Sequence, residues 1–296
     1  MSSSSLQTSS QPTSEISKTS EVSRLPSRAR LFFMTVLARA YPRVIGQQRE
    51  KSWVFFDIFL PMVATCAYVF IYRAIEAPKD YIGFVLIGGA MTAFWMNVLW
   101  NMSSQLYWEK ETGNLGLYIM APNSLMAILL GMALGGMLAT CLRAGVIILL
   151  GSVFFDVQFA VGSVPQLIAA FLLAMTALYG MGMLFASLFL LFGREAWHIS
   201  NLLQEPVYLV SGFYFPIRSF NFWLALGASI IPLTLGLDAM RQLLFASGPA
   251  LGFLSVPLEI AALVALSVLF LWAAKVALEY MERLAIREGR ITESRR

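Results

Sequence analysis

Six apolar runs constrain this chain more than any other feature. A hydrocarbon core about 30 Å thick takes roughly 20 helical residues to cross, and residues 53–72, 82–107, 125–154, 167–192 and 256–277 reach that length with two charges at most in each. The sixth run, 199–212, is short, with Pro206 inside it and Gly212 at its end, so helix breakers leave its limits the least defined. In lipid only helices and closed barrels satisfy every backbone polar group, and continuous runs of this length select helices over the short alternating segments of a barrel. Composition agrees: 58% of the 296 residues are hydrophobic and 13% charged, against about 25% charged in soluble domains. The expectation is an all-α membrane protein of six transmembrane helices, with an N-terminal interfacial helix and re-entrant helices before the last span.

Lys and Arg near the span ends set the orientation. Arg39, Arg43, Arg49 and Lys51 precede the first run, and Lys275, Arg283, Arg287, Arg290, Arg295 and Arg296 lie in or after the last. Both termini are therefore expected in the cytoplasm. Alternating loops then place Arg73 and Lys79 outside, Lys110 inside, the base-free stretch 156–165 outside and Arg194 inside. The net charge of +4 gathers beside the spans, which points to a bilayer surface and not to nucleic acid.

The chain divides accordingly. Residues 1–27 are Ser-rich without an apolar run and read as a disordered cytoplasmic tail. In 28–52, Leu31, Phe32, Phe33, Val36, Leu37 and Tyr41 alternate with Arg at helical spacing. That describes an amphipathic helix in the inner headgroup layer or, alternatively, one bound to a cytosolic partner. Residues 53–279 form the six-span domain and 280–296 a basic cytoplasmic tail. Within 213–250, Pro216, Pro232 and Pro249 interrupt stretches too apolar for a solvated loop and too short to span. Such segments are expected to dip into the outer leaflet and return, packed on protein.

Catalytic constellations are missing from the sequence. No Gly-Lys dipeptide occurs, so the phosphate-cradling G-x-x-x-x-G-K-[ST] loop is absent; there is no G-x-S-x-G, and the single His cannot supply H-E-x-x-H. Cys66 and Cys141 sit in apolar runs and read as buried small hydrophobes. No cofactor or metal is expected on this chain, and any nucleotide-driven work must come from another one.

The loop after the second run, EKETGNLGLYIMAPNS, has three charges, then Gly113, then Leu115, Leu117, Ile119 and Met120, and closes at Pro122. A short helix bounded by breakers can dock its apolar side in a partner's groove while its carboxylates meet basic residues at the rim. An ordinary inner loop folded onto the headgroups is the alternative. This segment resembles the coupling helix of type-2 ABC export permeases in its E-x-E-x-G-x-L pattern ending in A-P: Glu109, Glu111, Gly113, Leu115, Ala121 and Pro122. Gly116 stands where members often carry an acidic residue. A second segment, Pro206, Leu209, Ser211, Gly212, Phe215-Pro216, then Ile231-Pro232-Leu233-Thr234, Asp238 and Arg241, is similar to the S-G-x-x-F-P … P-L-T-x-x-x-D-x-x-R signature of the same family. The resemblance spans 28–290. It implies coupling to an ATPase through 109–122, two cytosolic ATP-binding subunits carrying ATP and Mg, a second permease, identical or related, and a substrate path along the dimer interface.

Ionisable groups inside spans are costly and therefore informative. Counted from Ser124, Arg143 falls toward the outer leaflet, at a depth similar to that of Glu259, so the two are expected to pair or to face a wet cavity; snorkelling of Arg143 is the alternative. Asp57 and Glu205 lie one to two turns inside the inner leaflet, within reach of Arg49 or Arg194, with a proton relay as the sharper reading. Asn97 and Asn101 share a helix face and either line the path or hydrogen-bond between helices. Asp238 and Arg241, three apart, can pair on one face. Gly131-x-x-x-Gly135 and Gly180-x-Gly182 allow close helix approach. The aromatics Phe213, Tyr214, Phe215, Phe220, Phe222 and Trp223 form either a headgroup belt or an exit gate. The favoured reading is an export permease lacking its own ATPase, for a hydrophobic drug, lipid or glycan-type substrate in the cytoplasmic membrane. Its rivals are a secondary transporter or channel and a lipid-modifying enzyme.

Overall fold

The computed structural model describes residues 27–120, 124–192 and 195–288, and among these no strand occurs. Five helical stretches are long and apolar enough to cross a membrane. They are α2 (Lys51–Ala74), the stretch Asp80–Glu111, α6 (Leu125–Phe155), α7 (Val164–Phe192) and α12 (Val256–Glu288). The second of these is composite: α3 (Asp80–Met96) runs through a π-helical segment, Asn97–Met102, and then α4 (Gln105–Glu111). The π turn lengthens the backbone bonding so that the Ser103 amide reaches the Val98 carbonyl, and the Ser103 hydroxyl donates to that same oxygen at 2.8 Å. Such insertions bend helices and concentrate at functional positions.

Burial separates these helices by role. The most apolar stretch of Asp80–Glu111 is 94% buried, whereas that of α2 is 11% buried and that of α12 is 22% buried. A helix apolar on all sides and enclosed is the centre of a bundle, and α3 fills that position, packed on α2 and α6. The outward residues of α2 and α12, such as Phe59, Leu60, Val268 and Trp272, present an apolar surface suited to lipid.

The N-terminal helix α1 (Arg28–Arg49) exists as expected, but its placement follows from glycines in α6. A Cβ built on Gly131 would lie 2.5 Å from the Val36 carbonyl oxygen, and one on Gly135 would lie 2.6 Å from that of Ala40. Neither tolerates a side chain, so the two backbones meet in van der Waals contact. Because 131 meets 36, 135 meets 40 and Arg143 reaches Gln47, α1 runs parallel to the first half of α6 and alongside it. Phe33, Met34, Leu37 and Tyr41 remain exposed on its other side.

The sixth run folds as α8 (Glu195–Val210), which starts four residues before the expected limit and carries Pro206 inside it. Its 16 residues rise about 24 Å at 1.5 Å each, short of a full hydrocarbon core. A positive φ of 72° at Gly212 ends the segment. Beyond a single 3₁₀ turn, Ile217–Ser219, come α9 (Phe222–Ala228) and α10 (Pro232–Leu244), bent by 108° relative to each other. Pro232 opens α10 at its first turn, where its missing N–H is harmless. The helix is enclosed by α3, α7 and α12, which meets the condition for irregular backbone at membrane depth. A short turn of helix, α11 (Gly248–Leu251), links α10 to α12.

Candidate functional site

Three constellations gather the polar groups. At the end of the bundle where α4 stops, Gly113 takes a φ of 78° and reverses the chain into α5 (Asn114–Met120). Glu109 is the hub of this foot. Its carboxylate accepts from Gln105 Nε2 (3.1 Å), Asn114 Nδ2 (3.1 Å) and the Tyr118 hydroxyl (3.0 Å). The Arg39 guanidinium of α1 lies 4.2 Å over the Tyr118 ring, a cation–π contact. Burial, reinforced by the neighbouring Glu109 carboxylate, pushes the Tyr118 phenol above its ordinary value, so it stays a donor at neutral pH.

These bonds sort the residues expected to couple to an ATPase. Glu109 is occupied within the foot and Leu115 is buried beneath it, so both brace the element. Glu111 is exposed, as are Trp108, Leu117 and Met120, at 52%, 61% and 77%. Leucine and methionine left out on a helix with a satisfied polar frame form an apolar contact surface. Ala121 and Pro122 lie outside the described residues. Above the foot, Trp197 of α8 stacks on Trp100 and meets Trp108 edge-on, while the Trp100 indole donates to Gln204 Oε1 at 3.0 Å.

The second constellation is a cleft of about 220 Å³ between α2, α3 with its π segment, α6 and α8. Arg143 and Asp57 form an ion pair across it, and Arg143 also donates to the Gln47 carbonyl at 3.2 Å. Asn97, Asn101, Tyr208 and Tyr214 line it as well. Asn97 Oδ1 accepts from the Tyr179 hydroxyl at 3.0 Å, which leaves its Nδ2 without a partner. Arg143 Nε is likewise unpaired.

Two sequence expectations change here. Arg143 does not pair with Glu259: its partner is Asp57, seven residues into α2. Asp57 in turn does not meet Arg49; Arg194 lies outside the described residues. The reason is length. At 31 residues, α6 rises about 46 Å, well beyond one hydrocarbon core, so depth counted from its first residue overshoots. Asn97, Asn101 and Arg143 do share one cavity wall, and Glu259 stands apart from them.

The third constellation lies at the opposite end. Arg241 is 2% exposed and donates to the carbonyls of Gly212 (2.5 Å), Phe213 (2.6 Å) and Phe84 (2.8 Å). It therefore fastens the turn after α8 to α3. Gly88 makes that approach possible, because a Cβ there would sit 1.5 Å from the Phe213 oxygen; the sequence offered no signal for it beyond an ordinary Gly-Gly pair. The expected pairing of Asp238 with Arg241 is absent. Asp238 instead accepts from the Phe253 amide (2.7 Å) and Gln242 Nε2 (3.3 Å), and Gln242 also donates to Glu259 at 3.2 Å. Ser211 and Thr234 are buried with unpaired hydroxyls, and Pro216, extended, immediately precedes the 3₁₀ turn, with Phe215 edge-on to Phe220. The aromatic cluster splits: Phe213 and Tyr214 are buried, whereas Phe222 and Trp223 are exposed.

No curated protein matches the chain. A family model described as ABC-2 type transporter matches residues 33–245, from α1 through the exposed foot and the cleft to the Arg241 clamp. With more than two thirds of its length inside that match, several apolar helices of spanning length and no strand among its described residues, this multi-pass membrane chain belongs to the ABC-2 type transporter family.

Proposed function

We propose that this chain is the permease subunit of an exporter whose ATP is bound and hydrolysed, with Mg, on two copies of a separate cytosolic subunit, and that it works beside a second permease, identical or related. The observation that carries the reading is the foot: an internally satisfied frame around Glu109 that presents Trp108, Leu117 and Met120 outward, with Glu111 at the rim. The foot faces the cytosol, as do both termini, in keeping with the distribution of Lys and Arg. The hairpin α9–α10 is the re-entrant element at the outer face.

Closure of the ATP-binding subunits pushes the foot. Because α4 continues into the π segment and α3, that push reaches the centre of the bundle. Helix α1 carries it along a second line, from Arg39 at Tyr118 to Gln47 at Arg143. A ligand shifts such an equilibrium only by contacting one state better than the other, so the foot contacts must differ between ATP-bound and ATP-free complexes. The substrate is a hydrophobic drug, a lipid or a glycan-type amphiphile, carried across the cytoplasmic membrane.

Co-purification of the full chain with its ATP-binding subunit tests the reading. Leu117→Asp together with Met120→Asp is expected to abolish association while the permease remains folded. An intact complex after that change, or uphill flux by this chain alone, overturns it in favour of a secondary transporter.

A further inference from the structure

Two carboxyl groups, Asp238 of α10 and Glu259 of α12, are enclosed together where the re-entrant helix meets the last span. They are 3% and 0% exposed, and both accept from one nitrogen, Gln242 Nε2, at 3.3 and 3.2 Å. That amide carries two hydrogens and also serves the Leu254 carbonyl at 2.8 Å, so three oxygens compete for it. The two carboxyls lie within hydrogen-bond reach of each other. Asp238 is the better supplied, because the Phe253 amide reaches its Oδ2 at 2.7 Å, whereas Glu259 Oε1 has no donor at all.

Among the described residues no cation is bonded to either acid. Arg241, one turn from Asp238, is committed to the carbonyls of Gly212, Phe213 and Phe84, and Arg218 to that of Ala250. From α3, Asp80 accepts from the Ser247 amide and Tyr81 stacks on Phe84. Helix α7 brings no charged residue, and its Tyr179 is bonded to Asn97; α6 brings only Arg143, held by Asp57. Lys275, further along α12, pairs with Glu279. Two carboxyls enclosed side by side without a cation cannot both stay charged, and such a pair keeps a proton between them. It rests on Glu259, the acid with fewer donors, and is donated to Asp238. A pocket of about 750 Å³ opens beside the pair, with Gln242, Phe253, Leu254 and Arg218 in its lining. Solvent thus comes within one side chain of the acids.

We propose that Asp238 and Glu259 form a single-proton latch: the shared proton fastens α10 to α12, and when Glu259 gives it up to solvent the two carboxylates repel and the junction opens. In the proposed orientation this junction lies at the outer face, so opening of that end is linked to external pH. The inference goes beyond the permease reading and needs no partner subunit. Because the closed junction holds one proton more than the open one, opening grows about tenfold for each unit of rising pH.

The purified full chain is studied in a maltoside detergent, which carries no carbonyl group of its own. At about pH 7, where solvated carboxyls are ionised, its infrared spectrum is expected to show the C=O stretch of a protonated carboxylic acid, set apart from the amide band. Glu259→Gln, which copies the shape of the neutral acid, removes that band. Hydrogen exchange of the amides in 238–259 is followed by mass spectrometry and corrected for its intrinsic pH dependence. In the wild type it is expected to quicken about tenfold per pH unit above neutrality, and in Glu259→Gln not to respond. Absence of the band from the wild type overturns the proposal whether or not the variant folds. A band that survives in folded Glu259→Gln, or wild-type exchange that stays flat with pH, overturns it as well. No ATP-binding subunit is present, so failure here leaves association through the foot as a separate result.

Discussion

Replacing Asp57 by Asn should harm this protein more than replacing Arg143 by Gln, although both changes break the same ion pair. The asymmetry comes from burial. The Arg143 side chain is 7% exposed and that of Asp57 39% exposed. Two unit charges about 4 Å apart interact by about 4 kcal/mol at an effective dielectric of 20, and partial exposure of Asp57 screens this to about 2–3 kcal/mol. After Asp57→Asn the guanidinium stays enclosed with only the Gln47 carbonyl as acceptor, so most of that loss remains, in line with the destabilisation found when one partner of a buried pair is removed. After Arg143→Gln the stranded carboxyl, unlike a guanidinium, can be held neutral, and the cost falls to about 1–2 kcal/mol. The double variant should resemble Arg143→Gln alone, because the stranded charge is gone. Thermal unfolding of the four proteins in one detergent checks this. Equal losses in the two single variants, or additive losses in the double one, would refute the argument that an enclosed, uncompensated guanidinium dominates.

Other outcomes follow from the same geometry. Gly88→Ala forces a methyl into the Phe213 carbonyl and should cost at least the ~1–3 kcal/mol typical of overpacking, read as a lowered unfolding temperature. Gly116→Ala, with nothing within 4 Å of the new carbon, should instead stabilise α5 by up to about 1 kcal/mol. Arg241→Lys keeps the charge but replaces a planar fork that serves three carbonyls by one compact ammonium. It should destabilise by about 2 kcal/mol and open the turn at Gly212 to proteolysis. Leu117→Asp with Met120→Asp, both on exposed positions, should leave the unfolding temperature within the small range of surface changes while abolishing capture of the ATP-binding subunit.

Much of the architecture was legible because lipid imposes few solutions. Run length fixed the helical class, and five of six expected spans appear as helices of crossing length. The sixth is shorter than a full crossing, although α8 starts four residues before its apolar run, and it carries Pro206 within it as the run does. The N-terminal helix and the bent pair before the last span were visible as amphipathic spacing and as proline-punctuated apolar stretches. Gly131 and Gly135 were legible as a packing notch, but their partner was not: nothing in local pattern states that α1 occupies it.

Side-chain partners were the least legible part. Asp238 and Arg241 share a helix turn, and spacing suggested that they pair, yet each is satisfied by backbone from a distant segment. Arg143 was assigned to the wrong end of the bundle because a helix longer than the bilayer carries no mark of where the bilayer begins. What the sequence by itself determined is the class of molecule: long apolar runs that no aqueous fold can hold, and a charged break that becomes the foot. Only the tertiary structure decided that Glu109 braces and Leu117 protrudes, that Arg143 meets Asp57, and that a polar cleft opens beside α2. Periodicity fixes which face of a helix is apolar, whereas the neighbour that face meets depends on how several helices tilt and slide together.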